Sequence, residues 1–130
     1  MKSADYALVW INGDLEEVPP LRELASGEFE DVQMLRDWRN LKFTNISKTR
    51  TCREPNDGHE WGYGGTGPTD FARDILLHFA NDWDFAKKHA NEFRDKFLAS
   101  MPREGGRVVK EAILAFIAEK KPRGGPILVR

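Results

Sequence analysis

A glycine-rich run at residues 59–70 constrains the fold of this chain more than any other feature. It reads His-Glu-Trp-Gly-Tyr-Gly-Gly-Thr-Gly-Pro-Thr-Asp, with four glycines and two large aromatics just before a helix-start pattern. Pro68 fits the first position of a helix, with Gly67 or Thr66 as the cap. Asp70 then places a carboxylate in the first turn, where the helix dipole favours it. The run therefore predicts a shaped loop at a helix N-terminus.

Apolar stripes after this run predict three helices. They cover residues 71–80, 85–97 and 109–117, with apolar side chains at three- and four-residue spacing. Asn81-Asp82 offers a break and a new cap between the first two helices, and so short a link predicts that they pack antiparallel. Gly105-Gly106 predicts a loop before the third.

The N-terminal residues predict a β-hairpin. Residues 6–11 are rich in strand formers, and Asn12-Gly13 supplies the two positive-φ residues of a tight hairpin turn. The chain then returns through residues 15–18. Pro19-Pro20 ends that strand and is expected to open a short helical turn through residues 21–24.

The stretch between the hairpin and the glycine run is less regular. Phe29, Val32 and Leu35 recur at three-residue steps, which predicts a helix over about residues 28–40. Residues 41–52 alternate irregularly and are expected to form a strand that pairs with the first hairpin.

These elements predict one α+β domain over residues 1–130. A small antiparallel β-sheet, formed by the N-terminal hairpin plus one or two strands, is expected to pack against a three-helix C-terminal half. Residues 1–56 make the strand-rich half with a short helix, residues 57–121 the glycine run and the helices, and residues 122–130 a tail with an edge strand at 127–129. The length of 130 residues and the 40% hydrophobic content suit one modest core.

Charge and cysteine content narrow the function classes. Lysine and arginine number 20 against 21 acidic residues, so a broad phosphate-neutralising surface is not expected and generic nucleic-acid binding is disfavoured. A single cysteine suits a reducing compartment. No apolar run approaches the roughly 20 residues of a membrane span. The expected location is the cytoplasm, with no membrane association.

Glycines before a helix suggest an anion site. Their N–H groups converge on a ligand and the helix dipole reinforces the attraction, which favours a phosphate. Arginines clamp phosphates and aromatics stack on bases. The predicted site residues are Trp61, Tyr63, Gly64, Gly65, Thr66, Arg73, Arg50 and Arg53. Against this site, no Gly-Lys-Ser/Thr follows, and Pro68 lacks a donor. The alternative is that the glycines serve only the turn.

Metal and catalytic sites find less support. The histidines lie in different predicted elements, and Asp74 with His78, one helical turn apart, supplies too few ligands for a metal. His89 falls on the apolar face of its helix. Cys52 or Ser47 as a nucleophile has no motif around it. We expect no metal, no cofactor and no enzymatic activity.

Residues 61–68 also carry a resemblance. The aromatic-Gly-Tyr-Gly-Gly-Thr-Gly-Pro box, the helix after it and the later Met101-Pro102 pattern resemble an uncharacterised family of small proteins common in phages and mobile elements. The likeness covers roughly residues 58–118. Residues 17–54 form a longer stretch than family members usually have there.

The resemblance implies a phage-type accessory protein, in which two functions compete. The first is counter-defence by binding a phosphorylated nucleotide-like ligand at the box, as phage proteins that sequester immune messengers do. The second is an inhibitor or adaptor that binds a host defence protein through its surface, as anti-CRISPR proteins do, with the box purely structural. The phenylalanine-rich helices and the predicted terminal edge strand also suit a homodimer.

Overall fold

The computed structural model of the protein describes residues 7–11, 14–18, 21–47 and 59–121. Its elements are β1 (Ala7–Ile11), β2 (Asp14–Val18), β3 (Val32–Arg36), β4 (Lys42–Thr44), α1 (Thr66–Ala80), α2 (Trp83–Phe93), β5 (Gly105–Val108) and α3 (Lys110–Lys120). A π-helical turn, Arg94–Leu98, continues α2. The predicted α+β class is confirmed, and the three helices lie in the C-terminal half.

The predicted hairpin is confirmed, but it stands apart from the other strands. β1 and β2 pair antiparallel, with Ile11 opposite Asp14. Among the described residues they form a two-stranded sheet of their own, while a second sheet has the order β4-β3-β5. The predicted pairing of a strand in residues 41–52 with the hairpin is therefore wrong, because β4 pairs with β3.

Strand β3 replaces the helix predicted over residues 28–40. Burial follows a two-residue period, since Val32, Met34 and Arg36 are buried while Gln33 is exposed and Leu35 only half-buried. The three-residue step of the apolar positions does not mark one helix face, because Leu35 is only half-buried and Phe29, before the strand, packs on Phe79. Tertiary pairing on both edges of β3 decided the outcome.

Asn45 fixes the entrance to β3. Its side-chain oxygen accepts from the N–H of Gln33 at 3.0 Å, and its side-chain nitrogen donates to the carbonyl of Asp31 at 2.9 Å. Its own carbonyl accepts from the N–H of Leu24 at 2.8 Å. The helical turn predicted through residues 21–24 is therefore absent from this described stretch, because Leu24 is tied to the sheet instead.

Gly105 begins a strand rather than a loop. It has φ of 113°, and a Cβ placed on it would lie 2.1 Å from the carbonyl oxygen of Met34. Such close backbone contact needs a residue without a side chain, so the Gly105-Gly106 pair that signalled a loop forms the first half of β5. Gly105 pairs with Leu35, and β5 lies on the edge of β3 opposite β4.

The helices follow their apolar stripes closely. Asn81 ends α1 in the left-handed conformation and Asp82 caps α2, its carboxylate accepting from the N–H of Phe85 at 3.1 Å. α1 packs against α2 and α3. The largest fully buried apolar side chains include Trp61, Phe71, Phe93, Ile75, Leu76, Leu98 and Ile113. Within the described ranges, no helix has the length and apolar character needed to cross a membrane.

Several predictions fall on residues outside the described ranges. These are the hairpin turn itself, Cys52 and the terminal edge strand at 127–129, together with the last part of the strand predicted over 41–52.

Candidate functional site

Trp61 anchors the glycine box to the interior. Its side chain is 1% exposed, and its indole nitrogen donates to the carbonyl of Arg103 at 3.0 Å. The next residue, Gly62, has φ of 92° and donates its N–H to the carbonyl of Leu98 at 2.9 Å. The first half of the box is therefore hydrogen-bonded to the segment that follows α2. The N–H of Gly62 already has an acceptor, so it is not available to a ligand.

The ring of Tyr63 lies over the later glycines. A Cβ built on Gly65 would stand 2.5 Å from a carbon of that ring, and one built on Gly67 would stand 3.2 Å from its hydroxyl and 2.8 Å from Cβ of Glu60. Tyr63 itself remains 50% exposed. These two glycines therefore give room to side chains of the same loop, as the structural alternative predicts.

The helix after the box begins earlier than predicted. Gly65 is the N-cap of α1 and Thr66 is its first residue, so Pro68 stands third and Asp70 lies beyond the first turn. The predicted cap at Gly67 or Thr66 is wrong by one or two residues. Thr69 stabilises this start by donating its hydroxyl to the carbonyl of Gly65 at 2.8 Å.

Of the three arginines predicted to cluster at the box, only Arg73 lies in the described ranges. The Arg73 side chain is buried, pairs with Asp70 at 2.7 Å, and its guanidinium lies 5.4 Å from the centroid of the Trp83 ring. It is thus engaged between α1 and α2. Arg50 and Arg53 lie outside the described residues.

Arg94 is the arginine that the structure places beside the box. Its Nε lies 3.7 Å from the Cβ position of Gly64, and one of its terminal nitrogens donates to the Thr69 hydroxyl at 2.8 Å. It also pairs with Asp95. This approach could not be predicted locally, because Arg94 stands some thirty positions along the chain, in the π-helical turn that continues α2.

Behind the box, three charged side chains form a cluster on Trp61. Glu60 accepts from Arg36 at 2.8 Å and from Lys42 at 2.9 Å, and the Arg36 guanidinium lies 5.0 Å from the Trp61 ring centroid. Burial raises the pKa of the Glu60 carboxyl, but hydrogen bonds from Arg36 and Lys42 outweigh it and leave the pKa below its usual value. Arg36 lies opposite Lys42 in the pairing of β3 with β4. A sequence prediction that paired these two strands would therefore have placed the two cations side by side.

The histidines make contacts that differ from the predicted pairing. Asp74 faces His59 rather than His78, with 2.8 Å between Oδ2 and Nε2, and both side chains are buried. His78 instead bonds the carbonyl of Glu28. His89 packs on Phe85, and burial, aided by nearby Lys88, lowers its pKa. No group of three potential metal ligands occurs in the described part of the chain.

A second feature, the turn at residues 37–41, lies between β3 and β4. The buried carboxylate of Asp37 accepts from the backbone N–H of Arg39 at 2.8 Å, from that of Leu41 at 3.0 Å, and from the Arg39 guanidinium. These bonds outweigh burial and lower the pKa of Asp37. Asn40, at φ of 71°, is held by Arg103.

This fixed turn leaves two large apolar side chains in solvent. Trp38 is 55% exposed and Leu41 is 47% exposed. The helix predicted over about residues 28–40 hid this surface, because it placed Trp38 within a helix rather than on a turn.

Comparison with known proteins identifies one family. Searches of curated proteins and of solved structures found no match. A family model described as a family of unknown function, DUF6166, matches residues 28–119, which is more than half of the chain. The matched range contains β3, β4, β5, the box, α1, α2 and all but the last residue of α3. The chain therefore belongs to the DUF6166 family, whose function is unknown.

Proposed function

We propose that this chain is a non-enzymatic binding protein that contacts another protein through the turn at residues 37–41. The observation that carries the proposal is the exposure of Trp38 on a turn whose backbone is fixed by Asp37. In this proposal the glycine box is a structural element that joins the sheet to α1.

An exposed tryptophan on a turn whose backbone is held by hydrogen bonds has the properties of a binding anchor. Tryptophan is enriched among the residues that dominate interface energies. Because the turn is already held by hydrogen bonds, little conformational entropy is lost when a partner covers it. Leu41 adds apolar area on the same turn. The expected partner surface is an apolar pocket that accepts the indole.

The biological setting that we propose comes from the resemblance of the box to proteins of phages and mobile elements. In that setting the protein is an accessory factor acting inside the host cell, and its partner is a host defence protein. The turn lies in the part of the 17–54 stretch that the DUF6166 family model matches, so the proposed contact does not depend on a departure from the family.

A nucleotide-like ligand at the box is the second candidate function. It is favoured by the Arg94 guanidinium beside Gly64 and by the half-exposed Tyr63 ring at the start of α1. A phosphate there would meet one cation and an aromatic face. Its weakness is that the Gly62 N–H already bonds Leu98 and that Pro68 has none to offer.

The experiment compares capture of partners from a bacterial lysate by wild-type protein and by two variants. Trp38→Ala removes the anchor, and Leu114→Ala removes another exposed apolar side chain, on α3, as the matched control. We expect a partner that Leu114→Ala retains and Trp38→Ala loses. Equal capture by all three proteins contradicts the proposal.

Two measurements separate the other outcomes. A thermal-shift screen against cyclic and linear nucleotides and ADP-ribose derivatives tests the second candidate, because a ligand that binds only the folded state raises the melting temperature. Analytical ultracentrifugation of wild type and Trp38→Ala tests whether the partner is a second copy of this chain.

A further inference from the structure

A cavity of about 640 Å³ lies beside β4, and its wall includes Asn40 and Leu41 of the turn at residues 37–41 but not Trp38. Its walls come from β4 and the segments around it, together with His59 and Trp61 at the beginning of the box. This volume falls within the range of about 300–1,000 Å³ typical of small-molecule sites. The cavity is therefore large enough for a compact ring system.

His59 presents a preset hydrogen-bond acceptor at this cavity. It is 3% exposed, and its ring is stacked on Phe71 with 4.6 Å between centroids. Its Nε2 lies 2.8 Å from Oδ2 of the fully buried Asp74, which is not among the lining residues. Because a carboxylate only accepts, Nε2 carries the hydrogen in the neutral ring and Nδ1 is left as an acceptor.

The Nδ1 atom is the unused group of this pair. No group in the described ranges 21–47 and 59–121 makes a hydrogen bond to it. Since Nε2 is turned towards Asp74, outside the wall, the remaining polar edge of the ring is the one available to a molecule in the cavity.

The charges on the walls argue against an anionic ligand. Lys42 is held by Glu60, 2.9 Å away, which offsets its charge. Glu23 adds a carboxylate to the lining, where it accepts from the hydroxyl of Ser47. The remaining surface includes the apolar side chains of Leu41, Phe43, Ile46 and Trp61. These walls suit the faces of a neutral ring.

We propose that the cavity binds a neutral planar nitrogen heterocycle whose ring N–H donates to Nδ1 of His59. The apolar walls cover the faces of the ring, and Asp74 acts as a positioning residue that holds the imidazole tautomer. The site shares Leu41 with the turn at residues 37–41 but does not include Trp38, so Trp38→Ala and His59→Phe test the two proposals separately.

The test uses benzimidazole, a neutral planar heterocycle with one ring N–H, and 1-methylbenzimidazole, which has the same ring system with a methyl group in place of the donor hydrogen. Titrations follow the imidazole nitrogen resonances of His59 by NMR at neutral pH. We expect benzimidazole to bind about tenfold more tightly and to shift Nδ1 more than Nε2, since an acceptor left unpaired by the methylated probe is costly.

Variants and a competing anion complete the test. His59→Phe should remove the preference between the two probes, whereas His89→Phe, which alters a histidine outside the cavity wall, should keep it. If His59→Phe does not fold, the comparison of the two probes on the wild type decides alone. Equal affinity for both probes, binding of neither, or displacement of benzimidazole by inorganic phosphate overturns the proposal.

Discussion

Two tryptophans, Trp61 in the glycine box and Trp38 in the turn at residues 37–41, have opposite fates. Trp61 is 1% exposed, with its indole nitrogen bonded to Arg103, whereas Trp38 is 55% exposed. Both stand on backbone that is held by hydrogen bonds. The difference shows that the aromatic side chain of a distinctive motif, the glycine box, can be buried in the core. The exposed aromatic side chain lies instead on the turn at residues 37–41, which has no such motif.

Replacing Trp61 by alanine should have the largest effect on this comparison. The change removes a fully buried aromatic side chain, so we expect the free energy of unfolding to fall by about 3–5 kcal/mol. Chemical denaturation followed by circular dichroism measures the loss. A loss below about 1 kcal/mol, typical of surface positions, would contradict the buried placement of Trp61. The same change cannot serve as a clean test of ligand binding at the box.

Removing the charge of Glu60 should have the next largest effect. Glu60→Gln removes the carboxylate that pairs with the buried guanidinium of Arg36 and with the ammonium of Lys42. We expect a loss of about 2 kcal/mol, because removing the charge partner of the buried Arg36 guanidinium costs more than the pair itself contributes. Glu92→Gln, which breaks an exposed pair with Lys120, is the matched control and should change stability by about 0.5 kcal/mol or less. Equal losses would contradict the cluster.

Lowering the pH should reduce the stability of both the glycine box and the turn at residues 37–41, because Glu60 and Asp37 become protonated. The pKa values of Glu60 and Asp37 are lower in the folded chain than the usual values of 4.5 and 3.8. The unfolded chain therefore binds more protons in this range, and the stabilisation is full above those values and is lost as pH falls through the lower folded ones. Denaturation midpoints across the acid range should show this decline, and Glu60→Gln should flatten part of it. If the curves of denaturation midpoint against pH run parallel for the wild type and Glu60→Gln, Glu60 does not contribute to the decline.

Two glycines of the box should respond differently to alanine. A Cβ on Gly67 would lie 2.8 Å from Cβ of Glu60, whereas one on Gly64 would meet nothing closer than 3.7 Å. We expect Gly67→Ala to cost about 1–2 kcal/mol through overpacking. Gly64→Ala should stay within about 0.5 kcal/mol of the wild type. Thermal denaturation of both variants measures the difference, and the reverse order would contradict the described packing of the box.

The smallest effect on stability should come from Trp38. Because its side chain is mostly in solvent, Trp38→Ala should change the free energy of unfolding by about 0.5 kcal/mol or less. The same purified variant should lose the partner captured by the wild type. A large loss of stability would show that Trp38 belongs to the core, and the comparison between the two tryptophans would fail.

The sequence predicted most of the helical half and less of the rest. The stripe that includes Phe71 and Ile75, and the Asn81-Asp82 break, found α1 and α2 because helix caps and apolar spacing are local signals. The sequence prediction had a helix where β3 lies, because the apolar spacing of these residues resembled that of a helix. Strand β5 was missed because Gly105 signals a loop locally, and only its contact with Met34 explains it.

The residues predicted as a ligand site remain a prediction, and the sequence did not show how the residues around the box are arranged. The box was rightly singled out as a shaped loop, yet burial of Trp61 and the contact of Arg94 with the loop depend on segments distant in sequence. The His59–Asp74 pair was missed for the same reason, since the expected partner of Asp74 was the helical neighbour His78.

The sequence by itself determined the elements that depend on neighbours within a few residues: the paired hairpin strands, the three helices, the Asn81-Asp82 break and the glycine-rich loop before α1. Tertiary structure alone decided which strands pair, which tryptophan is buried and which charges meet. The physical reason is that local propensities, proline apart, differ by at most about 1 kcal/mol per residue. Burying a large apolar side chain or pairing a buried charge involves several times that energy, so long-range packing overrides the local pattern.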